Sequence, residues 1–325
     1  MAEYIKKGGF KVMNGIRTDL ALEAHEMCSS EAMKEEKIDG VLVDIKQDDG
    51  ISITRIDITN KNGEEALGKP IGRYVTIEAP DIKYSILVYE KTCRLLADEI
   101  RAMSSKRNSG KTLVVGLGNK QITPDALGPD VIKKLMVTGH IKEYKKDLLS
   151  DEISSVYAIA PGVLGTTGIE SAEIIKGVID RVHPDLIIAV DALASRSLDR
   201  ISTTIQISDT GINPGAGVEN NRKALNKETL GVKVIAIGVP TVVDAATIAS
   251  DSIDMAISDT QSSELDERYK NDIIKKALTK NIGGLMVTPK DIDLVIEKTS
   301  KTVANGINMA LHENLTFEDI ESYVG

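Results

Sequence analysis

The chain has 325 residues, of which 42% are apolar and 27% charged, and its net charge of −9 argues against nucleic acid as a direct partner, because a polyanion would be repelled. No run approaches the ~20 apolar residues that a membrane helix needs, and the N-terminal residues lack the apolar segment of a signal peptide. The two cysteines form neither a disulfide framework nor a metal-site spacing, so we predict a cytoplasmic protein that does not bind membranes.

The N-terminal part of the sequence predicts an arm, a β-hairpin and a helix, in that order. Residues 1–18 are polar and weakly patterned, which is typical of an arm. The runs VLVDI and ISITRIDIT alternate apolar and polar residues, and their connection contains Gly50, which is a hairpin signal. The apolar spacing then becomes helical from about Lys83 to Met103. We expect an arm over residues 1–19, a smaller β-containing region over 20–80 and a main domain over 81–325.

From residue 112 onward, apolar runs that predict strands alternate with helical patterns. Strands are predicted over 112–119, 156–162, 185–193, 203–211 and 232–240, and helices near Pro129, over 171–182, near 244–257 and through 290–310. Thr167 and Glu170 have the spacing of a capping box before the second of these helices. The alternation implies crossover connections, so we predict an α/β fold with a mainly parallel central sheet and flanking helices. Such sheets bind ligands at the carboxyl ends of their strands.

Two aspartates stand at predicted strand ends. Asp125 lies in the loop after the strand at 112–119, and Asp191 follows the apolar run 186–190. A single aspartate in either position is also typical of a turn or a helix cap. Two carboxylates in one site of low dielectric tend to share a proton, so one can activate water while the other donates to a leaving group. The positions therefore favour acid–base catalysis by Asp125 and Asp191.

A glycine-rich loop follows the predicted strand at 203–211. It begins with Asp-Thr-Gly, which is also the active-site triplet of pepsin-like and retroviral proteases, but the β/α alternation contradicts their nearly all-β context. The glycines would let the backbone approach a ligand closely, and a tight turn explains them equally well. We expect this loop to support the site, through Asp209, Gly211, Asn213, Gly215 and Gly217.

Other catalytic signatures are missing from the sequence. It contains no H-E-x-x-H, no G-x-S-x-G and no Walker loop. The run GLGN is similar to a dinucleotide-binding fingerprint, but Gln121 takes the place of the third glycine. We therefore predict neither a cofactor nor a bound metal.

Five segments, in order along the chain, resemble the spore germination proteases of endospore-forming bacteria. They are RTDLALEAHEM (17–27), GLGNKQITPDALGP (116–129), APGVLGTTGIES (160–171), VDALASRSLDRI (190–201) and TIQISDTGINPGAGVENNRKAL (204–225). The resemblance implies an endopeptidase that degrades small acid-soluble spore proteins during germination. It also implies a homotetramer, made as an inactive precursor in the developing spore.

This family is similar in fold to the hydrogenase maturation proteases, whose metal-binding acids would correspond to Asp125 and Asp191. Those proteins supply a histidine near the glycine-rich loop, whereas the loop in this chain carries Asn213. The departure favours an aspartic-type mechanism, with a metal-dependent peptidase as the alternative. A non-catalytic binding protein that uses residues 211–217 is the alternative from another class.

The resemblance also gives the arm a role. Family substrates are cut after an acidic residue in a stretch resembling Thr-Glu-Phe/Ile-Ala-x-Glu, and residues 18–23 read Thr-Asp-Leu-Ala-Leu-Glu. We therefore expect self-cleavage between Asp19 and Leu20, although a helix capped at Thr18 explains the same residues locally. Acidification is expected to populate a singly protonated aspartate pair and to weaken the carboxylate contacts that hold the arm.

Overall fold

The computed structural model of the protein describes residues 18–31, 38–104, 110–144, 153–213, 223–249, 252 and 284–324. The strands are β1 (Val41–Asp48), β2 (Ile51–Ile58), β3 (Gly72–Glu78), β4 (Lys111–Gly116), β5 (Ser155–Ile159), β6 (Leu186–Ser195), β7 (Thr204–Ser208), β8 (Lys233–Asp244) and β9 (Met286–Val287). The helices are α1 (Ala21–Glu31), α2 (Lys61–Leu67), α3 (Ile86–Ser104), α4 (Leu127–Lys133), α5 (Gly139–Tyr144), α6 (Leu164–Thr167), α7 (Ser171–Val182), α8 (Lys227–Leu230), α9 (Ile292–Leu311) and α10 (Phe317–Val324). A short helical segment also covers residues 245–249.

The nine strands of the described residues form one mixed sheet. Their order is β1-β2-β3-β7-β8-β6-β4-β5, and β9 also pairs with β8. The strands β8, β6, β4 and β5 run parallel to one another, whereas the pairs on the β1 side and the β8–β9 pair are antiparallel. The α/β class is confirmed, but the prediction of a mainly parallel sheet is wrong. Residues 196–203 are too few for a helical crossover, so β7 reverses direction after β6.

The N-terminal strands extend this same sheet. β1 and β2 form the predicted hairpin, and both Asp49 and Gly50 have positive φ, as a two-residue turn of type I′ requires. β3 then pairs with β7 and so connects the hairpin to the central strands. The boundaries expected for the three regions of the chain stay predictions.

The two faces of the sheet are packed differently. One face carries a continuous apolar core formed with α3, α4, α9 and α10. The other face carries two separate clusters, one where α7 packs on β4 and β6 through Ala172 and Ile175, and one around Ala21 of α1 over β1, β2 and β3. Burial of these apolar side chains holds the layers together. The gap between the two smaller clusters leaves room for a site on the middle strands.

Several element boundaries differ from those expected. β6 continues past Asp191 to Ser195 and β8 continues to Asp244, because the two strands pair along that length through an irregularity at Leu193. α4 begins at Leu127, so Pro129 lies within its first turn, where a missing N–H leaves no bond unmade.

Two helices differ from their predicted form. The predicted capping box is absent, because Thr167 ends α6 and the Glu170 side chain forms no cap bond to α7. The helix expected near 244–257 is found over 245–249, and most of its remainder lies outside the described residues. Among the residues that the structure describes, no helix has the length and apolar character needed to cross a membrane.

Candidate functional site

A cavity of about 610 Å³ lies on the sheet face between the two smaller clusters. Its wall is formed by the end of β4, by β6, β7 and β8, and by the segment that precedes α1. Asp125 and Asp191 both line it, and so does Asp19. The structure thus brings the two aspartates expected from strand ends into one cavity with the residue before the expected cleavage point.

Asp191 is a residue of the middle of β6. The neighbouring strand β4 ends at Gly116, which pairs with Val190, so Asp191 lies just beyond the end of β4. The side chain is buried, with 7% of the residue exposed, and its Oδ1 accepts a hydrogen bond from the N–H of Ala192 at 3.0 Å. A carboxyl group in this position is largely shielded from water while it faces the cavity.

Asp125 ends a single turn of 3₁₀ helix at Thr123–Asp125. Its Oδ2 accepts a hydrogen bond from the N–H of Asn119 at 2.8 Å. Gly118 has a φ of +110°, and a Cβ atom there would lie 2.0 Å from the carbonyl oxygen of Asp125. Glycine is therefore required at position 118 to let the Asp125 turn fold back against the end of β4.

The backbone of Asp19 is held against β6 in the cavity wall. Its N–H donates to the carbonyl oxygen of Ala194 at 3.0 Å, and its Oδ2 accepts from the N–H of Ala194 at 2.8 Å. Its own carbonyl oxygen accepts from Nζ of Lys69 at 2.8 Å and from Nε2 of Gln206 at 3.2 Å. The residue that precedes the expected cleavage point is thus fixed through its N–H, its carboxylate and its carbonyl.

Glu23 fixes the first turn of α1, on the C-terminal side of the expected cleavage point. Glu23 is 1% exposed, and its carboxylate accepts hydrogen bonds from the N–H groups of Arg196 at 2.7 Å and Ser197 at 3.0 Å. The guanidinium of Arg200 lies 3.2 Å from the same carboxylate. Thr18 donates to Glu23 and accepts from the N–H of Leu20 at 3.0 Å. Because α1 begins at Ala21, this second bond closes a turn before the helix and does not cap its first residues.

Burial shifts the pKa values of two ionisable groups that meet here, the Asp19 carboxyl and the Lys69 amine. It raises the pKa of the Asp19 carboxyl, against the opposing effects of Lys69 and of the Ala194 N–H, while the nearby Glu23 raises it further. Burial also lowers the pKa of Lys69, opposed by Asp19 and Glu23. An acid whose pKa is raised in the folded state binds its proton more readily there than when unfolded, so this group adds stability as the pH falls toward 3.8. Protonation of Asp19 therefore stabilises the folded arm, which is opposite to the expectation that acid weakens the contacts of the arm.

The Asp19→Asn variant should therefore differ from the parent chain in a pH-dependent way. We expect the parent to gain stability relative to the variant as the pH falls through the raised pKa of Asp19, because a neutral acid and an amide resemble each other. Melting temperatures of both chains, measured from neutral pH to about pH 4 with Asp125→Asn in both to prevent cleavage, test this. A parent chain that lost stability relative to the variant on acidification would contradict the raised pKa.

The residues expected in the glycine-rich loop are not all at the cavity. Gly211 and Asn213 line it. Gly211 has a φ of +79°, and a Cβ atom added there would lie 2.2 Å from the carbonyl oxygen of Leu225. Asp209 lines a different cavity, and its Oδ1 accepts from the N–H of Arg73 at 2.8 Å. Gly215 and Gly217 lie outside the described residues.

Three further residues make contacts that no local sequence pattern predicts. Lys69 and Gln206 contact Asp19 of the arm, and Arg200 contacts Glu23 of α1. Gln206 lies in β7 opposite Gly238, and Gly238 lies opposite Asp191, so these three residues form one row across adjacent strands. Paired residues of neighbouring strands project to the same face, which places Gln206 and Asp191 on either side of a glycine. Only the register of the strands reveals this row.

The donor set for a metal ion is incomplete in the described part of the chain. Within it, no group of three or more His, Cys, Asp or Glu side chains is arranged to hold such an ion. Asp125 and Asp191 contribute carboxylate oxygens, and Asn213 stands in the loop that would have to supply a histidine ligand. The residues present do not fit the ligand set of a hydrogenase maturation protease.

Comparison with known proteins gives a consistent result over nearly the whole chain. A family model described as germination protease matches residues 21–262 and 259–324. A germination protease of Clostridium perfringens is 46% identical over 326 residues, covering 96% of this chain and 100% of the relative. Those of Caldanaerobacter subterraneus subsp. tengcongensis and Bacillus subtilis are 48% and 41% identical, covering 95% of this chain in both cases and 98% and 96% of the relatives.

Proposed function

Because the chain belongs to the germination protease family, we propose that it is an endopeptidase that processes itself and then cuts small acid-soluble spore proteins during germination. The observation that carries this proposal is the position of Asp19, whose backbone lies in the same cavity as Asp125 and Asp191. A precursor that holds its own cleavage point in a cavity lined by two carboxylates is arranged for self-processing. We further propose that it acts as a homotetramer in the developing spore and the spore core.

The proposed chemistry is a general acid–base hydrolysis of the Asp19–Leu20 bond. One carboxylate of the Asp125 and Asp191 pair takes a proton from water as the water oxygen bonds to the carbonyl carbon of Asp19. The other, initially protonated, gives its proton to the nitrogen of Leu20 as the carbon–nitrogen bond breaks. The products are a carboxylic acid at Asp19, which then loses its proton to water, and an amine at Leu20, and the pair again shares one proton.

The contacts of Glu23 suggest how a substrate would be recognised beyond the cleaved bond. Substrates of the family carry a second acidic residue at the position that Glu23 occupies in the chain's own sequence. We propose that the N–H groups of Arg196 and Ser197, with the guanidinium of Arg200, bind that residue. Charge-assisted bonds from several donors to one carboxylate would give the site its preference for acid there.

The Glu23→Gln variant is expected to process itself about 10- to 100-fold more slowly, because losing a hydrogen-bonded charge costs roughly 1.5–3 kcal/mol. The matched control is Glu26→Gln, since Glu26 also contacts Arg200 but its side chain is half exposed. The appearance of the new N-terminus is followed by mass spectrometry in both chains. Equal rates in the two variants would remove Glu23 from the recognition scheme.

Two experiments test the proposed function itself. In the first, the processed chain is incubated with a purified small acid-soluble spore protein, and the new termini are mapped. We expect cuts after the acidic residue of the recognition stretch, and an intact substrate would refute the proposal.

The second experiment repeats this reaction with a chelator and adds metal analysis of the protein, which together test the metal-dependent alternative. We expect full activity in chelator, and its loss with recovery on adding a metal would favour the alternative.

A further inference from the structure

The carbonyl oxygen of Asp19 is bound by two buried side chains at once. Nζ of Lys69 lies 2.8 Å from it and Nε2 of Gln206 lies 3.2 Å from it. Lys69 is 6% exposed and Gln206 is 9% exposed, so both donors are shielded from water. Two donors that converge on one peptide oxygen, one of them carrying a charge in the buried wall of a cavity, form an unusual environment for a carbonyl group.

The orientation of the Gln206 amide follows from its other contact. Its Oε1 accepts a hydrogen bond from the N–H of Ala21 at 2.6 Å, and only the oxygen of a side-chain amide can accept. The nitrogen is therefore the atom that faces Asp19. Gln206 thus holds the chain on both sides of the Asp19–Leu20 bond, which fixes the carbonyl relative to the sheet.

The strand register relates Gln206 to a proposed catalytic acid. Asp191, Gly238 and Gln206 are paired across three adjacent strands, and a separation of about 4.8 Å per strand puts the outer two about 10 Å apart. The side chain of Leu193 packs over Gly238, with its Cδ1 2.3 Å from the position that a Cβ atom of residue 238 would take. Asp19, Asp191, Lys69 and Gln206 line one cavity, so the donors to the carbonyl oxygen and a proposed catalytic acid belong to the same site.

We propose that Lys69 and Gln206 form the oxyanion site of this protease, polarising the carbonyl group before the scissile bond and stabilising the negative charge that develops on its oxygen. The proposal rests on the proposed cleavage between Asp19 and Leu20. It assigns both side chains a catalytic role through direct contact with the reacting oxygen.

The electron movements agree with this assignment. When the water oxygen bonds to the carbonyl carbon, the π electron pair moves onto the oxygen that Lys69 and Gln206 contact. When the tetrahedral intermediate collapses, that pair re-forms the double bond and Leu20 leaves as an amine after protonation by the aspartate pair. Donors fixed in a water-poor site stabilise such charge strongly because they need no reorganisation. Burial lowers the pKa of Lys69, and a negative oxygen beside it would favour the charged form.

A different role for Lys69 would be to recognise the acidic side chain of residue 19. The geometry assigns the two parts of Asp19 to different donors, since the carboxylate accepts from the N–H of Ala194 and the carbonyl accepts from Lys69. The charge of Lys69 also lowers the pKa of the carboxyl, so the lysine acts on both groups. The two roles predict different responses to analogues that lack a carbonyl.

The first experiment measures self-processing of the full-length chain. Lys69→Met and Gln206→Glu are compared with the parent, with Lys61→Met as a control that removes an exposed lysine paired with Glu64. We expect losses of about 10²–10³-fold for each site variant and none for the control. If the parent yields the Leu20 terminus and both site variants match it within threefold, the oxyanion site is refuted while the proposed function stands. If the parent yields no Leu20 terminus, the proposed function fails first.

The second experiment separates catalysis from structure. Peptides with the sequence of residues 18–23 carry either a hydrated difluoroketone, which mimics the tetrahedral intermediate, or a reduced amide without a carbonyl. We expect Gln206→Glu and Lys69→Met in the processed chain to weaken binding of the first at least tenfold more than of the second. Equal weakening of both peptides would contradict the proposal and indicate a structural role. Gln206→Glu is isosteric and carries the test alone should Lys69→Met fail to fold.

Discussion

Replacing Asp191 by asparagine is expected to slow the appearance of the Leu20 N-terminus by about 10²–10⁴-fold, the usual contribution of a positioned acid or base. Asparagine keeps the size of the side chain and an oxygen that can accept from the N–H of Ala192, so the strand should be undisturbed. What it loses is the ability to exchange a proton with water or the leaving amine. The same loss is expected for Asp125→Asn, because the proposed pair acts as a unit.

The controls for this prediction come from other aspartates of the chain. Asp180→Asn changes an exposed residue of α7 and should process at the parental rate. Circular dichroism and melting temperature establish that all variants are folded. If Asp191→Asn kept full activity while Asp209→Asn abolished it, catalysis would belong to the Asp-Thr-Gly triplet, and the assignment of Asp125 and Asp191 as the catalytic pair would be wrong.

The second large effect is expected from Gly118→Ala, a change of one methyl group. The added Cβ would lie 2.0 Å from the carbonyl oxygen of Asp125, and the φ of +110° is strained for any residue with a side chain. The strain costs roughly 1–3 kcal/mol, and displacing Asp125 by even ~1 Å can lower the rate about 100-fold. We therefore expect a lower melting temperature together with processing slowed about 100-fold.

Gly177 provides the matched control, because an added methyl group there would meet no neighbouring atom. Gly177 lies within α7, and no neighbouring atom comes within 4 Å of the position that an added Cβ would take. Gly177→Ala should therefore leave processing unchanged and add about 0.5–1 kcal/mol of stability. Measuring both variants by thermal melting and by processing rate separates the effect of position from that of the substitution. If Gly118→Ala processed as fast as Gly177→Ala, the close approach at Asp125 would be unimportant.

Local patterns in the sequence predicted the secondary structure well but the sheet less well. The hairpin at Gly50, the strands from 112 onward and the helix α9 follow from apolar spacing and turn residues. The direction of β7 was predicted wrongly, because the alternation of strands and helices was extended across residues 196–203, which are too few for a helical crossover. The length of that connection, rather than any strand pattern, indicates that the sheet is mixed.

Some residues of the candidate site could be predicted from the sequence, and others could not. Asp125 and Asp191 were found because each follows an apolar run, and ligands of α/β sheets gather at strand ends. Gln206 and Lys69 have no such signal, since Gln206 is defined by its pairing opposite Gly238 and Lys69 reaches Asp19 from a distant part of the chain. Long-range register and side-chain reach decide these contacts, and neither can be read from local spacing.

The most direct test of the proposed self-processing is to map the cleavage point in the purified full-length chain. The protein is held at mildly acidic pH, and its N-terminus is identified over time by mass spectrometry and N-terminal sequencing. Catalysis by the aspartate pair predicts one new N-terminus at Leu20 in the parent, and its formation at least about 100-fold more slowly in the Asp125→Asn and Asp191→Asn variants. A terminus at another residue, or the same Leu20 terminus formed at the parental rate by those variants, would contradict it.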